Sequence, residues 1–349
     1  MTNQKKYFLT LTAMVAFLVV SILLSVSVGS ANIHPLDSAK VILARIPLVS
    51  SLVSTESIKP VYETIIWNVR LPRILLAGLV GGGLAVVGAT FQGLFRNPLA
   101  DPHILGVSSG AALGATLAMF TGISVNFLGL GIIGLFAFLG ALMTVFVVYS
   151  LSSMQRSMAV TNILLIGTAI STLLSSIISL LMTFHREQIE KVYMWTLGSF
   201  SAATWAKVVF LAVLTLGGSL VTMLFARELN VILMGEEVAK SLGIDTTKVY
   251  KILIVFGSFV VAACVSVSGI IGFVGLIIPH AVRLLRGPNY RTLLLYSWLV
   301  GATFTIICDT VARTLVAPSE IPVGVITAII GAPYFIMLLY IRNRETRVS

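Results

Sequence analysis

The sequence predicts an all-α polytopic membrane protein in which residues 1–349 form one transmembrane domain of about ten helices. The first observation is composition: 57% of the 349 residues are hydrophobic and only 10% are charged, whereas an ordinary soluble domain carries about 25% charged residues. So few charges cannot cover a surface that faces water. The second observation is that uncharged apolar runs recur at about the 20 residues that a helix needs to cross the hydrocarbon core. We therefore expect lipid to surround most of the chain.

The apolar runs predict ten transmembrane helices arranged with a weak inverted repeat. The first run is longer than the roughly 7–15-residue apolar region of a signal peptide, so we expect it to be retained as a span. The seventh and eighth spans are divided because glycines and Pro279 interrupt one long run. The predicted spans are Tyr7–Ala31, Ile74–Phe95, two within Ile104–Gln155, Ser157–Phe184, Val208–Ala226, two within Ile252–Val282, Thr292–Ala312 and Ile321–Ile341.

The net charge of +10 is explained best by membrane topology. If the N-terminus is cytoplasmic, ten spans return the C-terminus to the cytoplasm, and more lysines and arginines then fall inside than outside, as is usual. Basic runs are not interleaved with aromatic residues, so a nucleic-acid partner is not expected. Cys264 and Cys308 lie in apolar runs without ligand spacing, which argues against a disulfide or a metal site.

Three segments between the runs are long enough to have structure of their own. Residues 32–67 and 185–207 are predicted on the external side, and the second contains tryptophans that suit a membrane interface. Residues 227–251 are predicted in the cytoplasm as two short helices, the second of which ends at Gly243 as a C-cap. A charged and structured loop of this kind is a candidate docking site for a soluble partner.

A non-helical motif, Arg96-Asn97-Pro98-Leu99-Ala100-Asp101-Pro102, separates two of the runs. Its prolines cannot continue a helix. Irregular backbone at membrane depth is tolerated where it is buried in protein or lines a watery path. A plain turn and a constriction at the cytoplasmic mouth are the two interpretations of this motif.

Charged side chains at the ends of the runs also have two interpretations. Arg70, Arg73 and Arg313 are predicted at the external side, as lipid-headgroup anchors or as receptors for acidic side chains of an external protein, because Arg pairs bidentately with carboxylates. Asp309 is a carboxylate inside an apolar run and is therefore a candidate proton or cation site. Arg313 follows it by four residues on the same helix face, which favours a structural ion pair.

The motifs of ATP-binding loops and of zinc proteases are missing. The sequence contains no Gly-Lys pair, which excludes a phosphate-binding loop of the Gly-x-x-x-x-Gly-Lys-Ser/Thr type. The His-Glu-x-x-His motif of zinc proteases is absent as well. We therefore do not expect the chain to be an enzyme, or to bind ATP through such a loop.

Motifs in a fixed order extend over the whole chain. They are Arg70-Leu71-Pro72-Arg73, Gln92 to Pro102, Leu105-Gly106-Val107-Ser108 with Gly110-Ala111, Trp195 with Gly198-Ser199, Gly235-Glu236 with Ala239 and Leu242-Gly243, Gly269 to His280 with Arg283, Asp309, Arg313, Glu320 to Gly324, and Gly331-Ala332-Pro333. In this order they resemble the permease subunits of type II ABC importers for iron–siderophores, haem and cobalamin. One departure is Gly287-Pro288-Asn289-Tyr290-Arg291, where that family often has Gly-x-Asp-His-Arg.

The resemblance implies a function and a set of partners. It implies import of an iron–siderophore, haem or cobalamin-type chelate across the inner membrane, through the interface between two permease copies. Two ATP-binding cassette subunits would dock below, and a substrate-binding protein would dock outside. ATP would be used by the ATPase partner, and this chain would bind no cofactor or metal itself. The alternative left open by the residues alone is an ion-coupled secondary transporter that uses Asp309.

The resemblance also implies which residues meet these partners. Arg70, Arg73 and Arg313 would meet glutamates on the external binding protein. The contact with the ATPase would be made by residues of the cytoplasmic segment, namely Leu233, Gly235, Glu236, Glu237, Ala239, Leu242 and Gly243.

A cytoplasmic gate is implied in the same way. Asn97 and Leu99 would form it, with Ser152 and Ser153 and the loop that follows them as a second constriction. The helix near residues 195–203 would form the outer part of the path.

Overall fold

The computed structural model is built from helices and one short hairpin. Ten of its helices correspond in order to the ten predicted spans, so the predicted fold class is confirmed. These helices are α1 (Asn3–Ser27), α4 (Leu71–Leu94), α5 (Val107–Thr121), α6 (Ile132–Ser153), α7 (Val160–Phe184), α9 (Trp205–Leu224), α12 (Thr246–Ser268), α13 (Val274–Arg286), α14 (Tyr290–Thr314) and α15 (Val323–Val348). The structure describes residues 3–348 apart from 30, 32, 46–57, 124–125, 128 and 154–159.

Not every one of these helices has the length of a full membrane span. Within the described residues, seven stretches are long and apolar enough to cross a membrane by length and composition. The helices α5 and α15 contribute shorter apolar stretches, and α13 has only 13 residues. The apolar runs therefore predict where helices lie better than they predict how long each helix is.

Shorter elements occupy the segments between the spans. The segment 227–251 contains two of them, α10 and α11, and the external segments contain α2, α3 and α8. The bounds are α2 (Pro35–Ala44), α3 (Pro60–Thr64) followed by a π-helical turn (Ile65–Arg70), 3-10 turns at Pro102–Leu105 and Arg186–Gln188, the hairpin β1 (Asn126–Phe127) and β2 (Leu130–Gly131), α8 (Ile189–Thr196), α10 (Ala226–Ile232) and α11 (Glu236–Ser241).

The long run Ile252–Val282 is broken where its glycines predict a break. Helix α12 ends before Gly269, because the φ of +70° at this glycine cannot continue a helix. A side chain would not fit there, since a Cβ would lie 2.2 Å from the Trp195 carbonyl oxygen. Phe273 also has a positive φ, of 68°, which is uncommon for a residue other than glycine. The chain therefore turns between these two positions before α13 begins.

Helix α4 is the buried axis of the fold. Apart from Leu75 and Leu79, every residue from Leu71 to Leu94 is buried. Its glycines let other backbones approach, since a Cβ on Gly88 would lie 1.9 Å from the Gly275 carbonyl oxygen of α13. Small residues at such crossings are the usual way for membrane helices to pack closely.

This packing predicts a large difference between two Gly→Ala substitutions. Gly88→Ala should push α13 away from α4 and destabilise the chain by about 1–3 kcal/mol or more, as overpacking of a tight contact does. Gly217→Ala on α9 is the matched control, because nothing lies within 4 Å of its added Cβ and alanine favours a helix. Melting temperatures in detergent should fall for the first variant and stay level or rise for the second. Equal melting temperatures would contradict the close crossing.

Candidate functional site

A cluster of charged side chains joins the first turn of α4 to the last turns of α14. Arg73 Nε and Nη2 donate to Asp309, with the shortest distance 2.8 Å, and Nη1 donates to both carboxylate oxygens of Glu320 at 2.9 Å. Arg313 Nε lies 3.9 Å from Asp309 Oδ2. The Asp309 side chain is 1% exposed, whereas that of Glu320 is 42% exposed. The buried carboxylate is thus held between two arginines, and Glu320 completes the coordination of Arg73 from the surface.

The other arginines predicted to face an external partner also bind within the chain. Arg70 donates to the backbone carbonyl oxygens of Val26, at 2.7 Å, and Ala31, at 2.5 Å. Arg313 Nη2 donates to the Ser25 carbonyl oxygen. The bonds to Val26 and Ser25 satisfy carbonyl groups that the end of α1 leaves without intrahelical donors, and the bond to Ala31 holds the chain that follows. The arginines therefore fasten α1 to the core.

The three arginines predicted to meet an external protein are largely buried, so such a protein has little direct access to them. Arg70, Arg73 and Arg313 expose only 5%, 8% and 9% of their surfaces. An external carboxylate could reach Arg73 only by replacing one of its present partners. Glu320 is the partner best placed to be replaced, because it is the more exposed of the two carboxylates.

The motif predicted as a gate, residues 96–102, forms a compact loop directly after α4. We call it the gate loop. Arg96 has a φ of +47°. The Asn97 N–H donates to the Gln92 carbonyl oxygen at 3.1 Å, and Asn97 Oδ1 accepts from the Leu99 N–H at 3.0 Å. The Asn97 side chain thus replaces the helical hydrogen bonds that the prolines forbid. The loop is a defined structure tied to the last turn of α4.

The second predicted constriction lies at the end of α6. Ser152 is buried and donates through Oγ to the Val148 carbonyl oxygen at 2.7 Å. Ser153 is exposed and donates to the Ser150 carbonyl oxygen at 2.8 Å. The rest of the predicted loop, residues 154–157, lies outside the described residues. Gating by these serines remains a prediction.

The segment 227–251 presents exposed apolar side chains beside charged ones of both signs. Ala239 is fully buried and anchors α11. Gly235 and Gly243 have φ angles of +134° and +79° and form the turns on either side of α11. Its exposed side chains include Leu233, Met234, Glu236, Glu237, Val238 and Leu242. We call these six residues the coupling patch; an exposed apolar patch rimmed by charge is typical of a docking surface.

Glu236 is held in place within this patch. Lys240 Nζ lies 2.9 Å from Glu236 Oε1, and Thr246 Oγ1 donates to the same oxygen at 3.3 Å. The hydrogen bond from Lys240 is the main cause that lowers the pKa of Glu236, and Thr246 and the charge of Arg96 act in the same direction. Glu236 is therefore a carboxylate at neutral pH.

A cavity of about 840 Å³ opens beside the charged cluster. Met119, Met194 and Trp195 give it apolar walls, while Lys191 and Lys207 bring positive charge. Glu320 also lines it, with both carboxylate oxygens bonded to an arginine. Because Glu320 is paired with Arg73, the two lysines give the lining an uncompensated positive charge.

A family model for the FecCD transport family matches residues 17–341 of this sequence. The chain belongs to the FecCD transport family. It is a multi-pass protein of the inner membrane and a permease of the ABC-importer type.

Individual relatives match most of this chain. An uncharacterised ABC transporter permease of Bacillus subtilis (strain 168) is 38% identical over 95% of this chain and 93% of its own length. A molybdate import system permease of Haemophilus influenzae is 39% identical over 93% of each chain. A cobalamin import system permease of Halobacterium salinarum is 45% identical over 82% of this chain and 75% of its own length.

A solved structure has the same fold. It is described as a metal-chelate type ABC transporter in an inward-facing conformation and matches this chain with a TM-score of 0.81 at 36% identity. The match covers 95% of this chain and 98% of the other. The likeness therefore extends over the entire helical domain.

Sequence reasoning found only part of the charged cluster. The pairing of Asp309 with Arg313 was predicted from their spacing, but the shorter contact is with Arg73, 236 positions away. Glu320 was noted only as part of a motif. A pair so distant in sequence leaves no local pattern, because only the packing of α4 against α14 brings the two side chains together.

The cluster predicts unequal effects for two conservative substitutions. Asp309→Asn leaves Arg73 and Arg313 buried with one carboxylate between them, so it should destabilise the chain by about 3–5 kcal/mol, as is typical of breaking a buried ion pair. Glu320→Gln is the control, and we expect about 1 kcal/mol or less because its carboxylate is partly exposed. Thermal melting in detergent measures both. A stable Asp309→Asn chain that had lost transport would instead favour an ion-coupled transporter.

Proposed function

We propose that this chain is the membrane-spanning subunit of an ATP-driven importer that carries an iron–siderophore, haem or cobalamin-type chelate across the inner membrane. Two copies of the chain would pair around the path. Two ATP-binding cassette subunits would dock on the cytoplasmic face and a substrate-binding protein on the external face. This chain would bind no cofactor, and ATP would be used by the ATPase partner.

The coupling patch is the observation that carries this proposal. It offers exposed apolar side chains on two short helices that are themselves anchored by Ala239 and by the glycine turns. The anchored helices would transmit a force from a bound protein, and the exposed apolar side chains would be buried by it. Because the chain is a permease of the ABC-importer type, a soluble ATPase subunit is the partner that we expect to bind the coupling patch.

One face of α7 supports a path between two copies. It carries a row of exposed hydroxyl groups beside exposed leucines, and each hydroxyl donates to the backbone carbonyl group three or four residues earlier on α7 itself. A row of hydroxyl groups suits a watery path better than lipid, while the adjacent apolar face suits a second copy. The hydroxyl residues are Thr168, Thr172, Ser176, Ser179 and Thr183.

The ion-coupled alternative is less well supported by the surroundings of Asp309. A proton or cation site needs a carboxylate that is free to release its partner. Asp309 instead accepts from Arg73 through both of its oxygens, with Arg313 also beside it. The geometry is that of a permanent structural pair.

Reversing one charge in the coupling patch tests the contact with the ATPase. Glu236→Lys places a positive charge opposite the partner and removes the Lys240 and Thr246 contacts. We expect affinity for the ATPase subunit to fall about tenfold, equivalent to about 1.4 kcal/mol, with loss of transport. Glu187→Lys is the control, because this glutamate is exposed on a segment predicted to be external. Co-purification of the ATPase with each variant is the measurement, and unchanged binding by Glu236→Lys would refute the assignment of the patch.

The cavity favours an anionic cargo among the chelates considered. Its apolar walls would accept an organic ligand, and Lys191 and Lys207 would stabilise carboxylates on it. Lys207 is already oriented, because its Nζ donates to the Ala202 carbonyl oxygen at 2.7 Å. An uncharged chelate would gain only hydrogen bonds from the two lysines, without the charge attraction.

Uptake of two probes by the reconstituted importer distinguishes these cargo classes. For Lys207→Gln we expect the KM for ferric citrate, an anion, to rise about tenfold, because one charge contact of about 1.4 kcal/mol is lost. Uptake of cyanocobalamin, whose net charge is zero, should depend much less on this lysine. Lys40→Gln is the matched control, since Lys40 is exposed on α2 and does not line the cavity. Uptake of cyanocobalamin but not ferric citrate by the unchanged chain would contradict the anionic assignment.

A further inference from the structure

The cytoplasmic segment 227–251, which we call the coupling segment, completes the cap of helix α14. Asn230, on α10, donates through Nδ2 to Asn289 Oδ1 at 3.2 Å, and its Oδ1 accepts from the Tyr290 N–H at 2.9 Å. Asn289 is the N-cap residue of α14 and also accepts from the Arg291 N–H. The first N–H groups of a helix have no intrahelical partners. One of those of α14 is therefore satisfied by a side chain of α10, which fixes the two helices to each other.

The first residue of α14 is in turn fixed to α4. Tyr290 is 1% exposed, and its hydroxyl donates to the Ala89 carbonyl oxygen at 3.1 Å. Its ring lies directly over Gly93, where an added Cβ would be 2.4 Å from the hydroxyl oxygen. Tyr290 thus connects the cap of α14 to the last two turns of α4.

The gate loop begins from those same turns. The Gln92 and Gly93 carbonyl oxygens accept from the N–H groups of Asn97 and Arg96, each at 3.1 Å. The Gln92 side chain, 2% exposed, donates to the Leu276 carbonyl oxygen of α13 at 3.1 Å. Hydrogen bonds at each end, joined by the last two turns of α4, therefore connect α10 through Tyr290 to the loop at residues 96–100.

A second connection leaves the coupling patch through Glu236. Glu236 accepts from Thr246 at the start of α12, and it also interacts with the charge of Arg96 in the gate loop. Movement of α11 would therefore act on α12 and on Arg96. Movement of α10 would act on α14 and on the end of α4, from which the gate loop begins.

We propose that Asn230 and Tyr290 are positioning residues that transmit displacement of the coupling segment to the gate loop. The inference rests on the proposed function, because it requires an ATPase that moves α10. The bond from the Tyr290 hydroxyl to Ala89 is buried, and a hydrogen bond in a region of low dielectric is strong, so the end of α4 would follow the start of α14. The two residues touch no cargo and act through the end of α4. Asn289 and Tyr290 also lie where this sequence departs from the Gly-x-Asp-His-Arg pattern, so the Tyr290 hydroxyl contact belongs to this chain's own version of the turn.

The chain offers a matched control for Tyr290. Tyr296 lies on the same helix and is equally buried, at 0% exposure. Its hydroxyl lies 3.1 Å from Thr10 Oγ1 and donates to the Tyr7 carbonyl oxygen of α1 at 3.3 Å, away from the coupling segment. Tyr290→Phe and Tyr296→Phe each remove one buried hydroxyl from α14. Only the first interrupts the connection to α4.

The test measures the gate directly and needs no knowledge of the cargo. Leu99→Cys places a reporter thiol in the gate loop, and the native Cys264 and Cys308 are buried. In inside-out vesicles that contain the complex with its ATPase, the rate of labelling by a membrane-impermeant maleimide is compared without nucleotide and after trapping with ATP and vanadate. We expect a change of about fivefold or more in the Leu99→Cys parent and in Tyr296→Phe, a size typical of allosteric coupling. In Tyr290→Phe and Asn230→Ala the change should fall below about twofold, while vanadate trapping is retained.

The outcomes separate this inference from the proposed function. If Tyr290→Phe responds to nucleotide as fully as Tyr296→Phe, the transmitting role is overturned. If the parent itself shows no nucleotide response although the ATPase traps vanadate, the proposed function of the gate is overturned, and this inference with it. If Tyr290→Phe does not fold, Asn230→Ala decides, because Asn230 is only half-buried and its removal leaves no cavity in the core. A full response in that variant would likewise overturn the role.

Discussion

The burial of α4 is the constraint on which the other features of the structure depend. Lipid cannot reach this helix, so every neighbour must pack directly on it, and its glycines allow α13 and α14 to approach at backbone distance. Arg73 lies in its first turn, and the gate loop follows its last turn. The external and cytoplasmic features of the proposed importer are therefore attached to one rigid element.

Polar groups in this fold are either satisfied within the protein or left at a surface where a partner could use them. Charges inside a bilayer are costly unless they are paired, and Asp309 has its arginines while Arg70 has the carbonyl groups at the end of α1. The α7 hydroxyls meet the same requirement by bonding to their own helix. The accessible groups include Glu320, the lysines of the cavity and the coupling patch. The proposed function assigns contacts with the cargo to the lysines and contacts with the ATPase to the coupling patch.

The helices could be predicted from sequence in number and order, but not in every length. The run Tyr7–Ala31 is uncharged and the run Thr292–Ala312 is interrupted only by Asp309, and each became a long helix. The run Ile252–Val282 could be divided because glycine permits backbone angles that end a helix, and the break falls at Gly269. The eighth span could be predicted to be the shorter of the two, but its length of 13 residues could not, since α13 is buried against α4 and packing rather than hydropathy sets its bounds.

The sequence by itself determined that the chain is embedded in a membrane, roughly how many helices it has, that it lacks a phosphate-binding loop and which family it resembles. These properties follow from local composition and from motifs, because lipid acts on each apolar run separately. Only the tertiary structure decided that Asp309 binds Arg73, that the docking arginines already have partners, and that Asn230 caps α14 beside Tyr290. These contacts join residues tens or hundreds of positions apart, and their energy exists only when the helices that carry them are packed together.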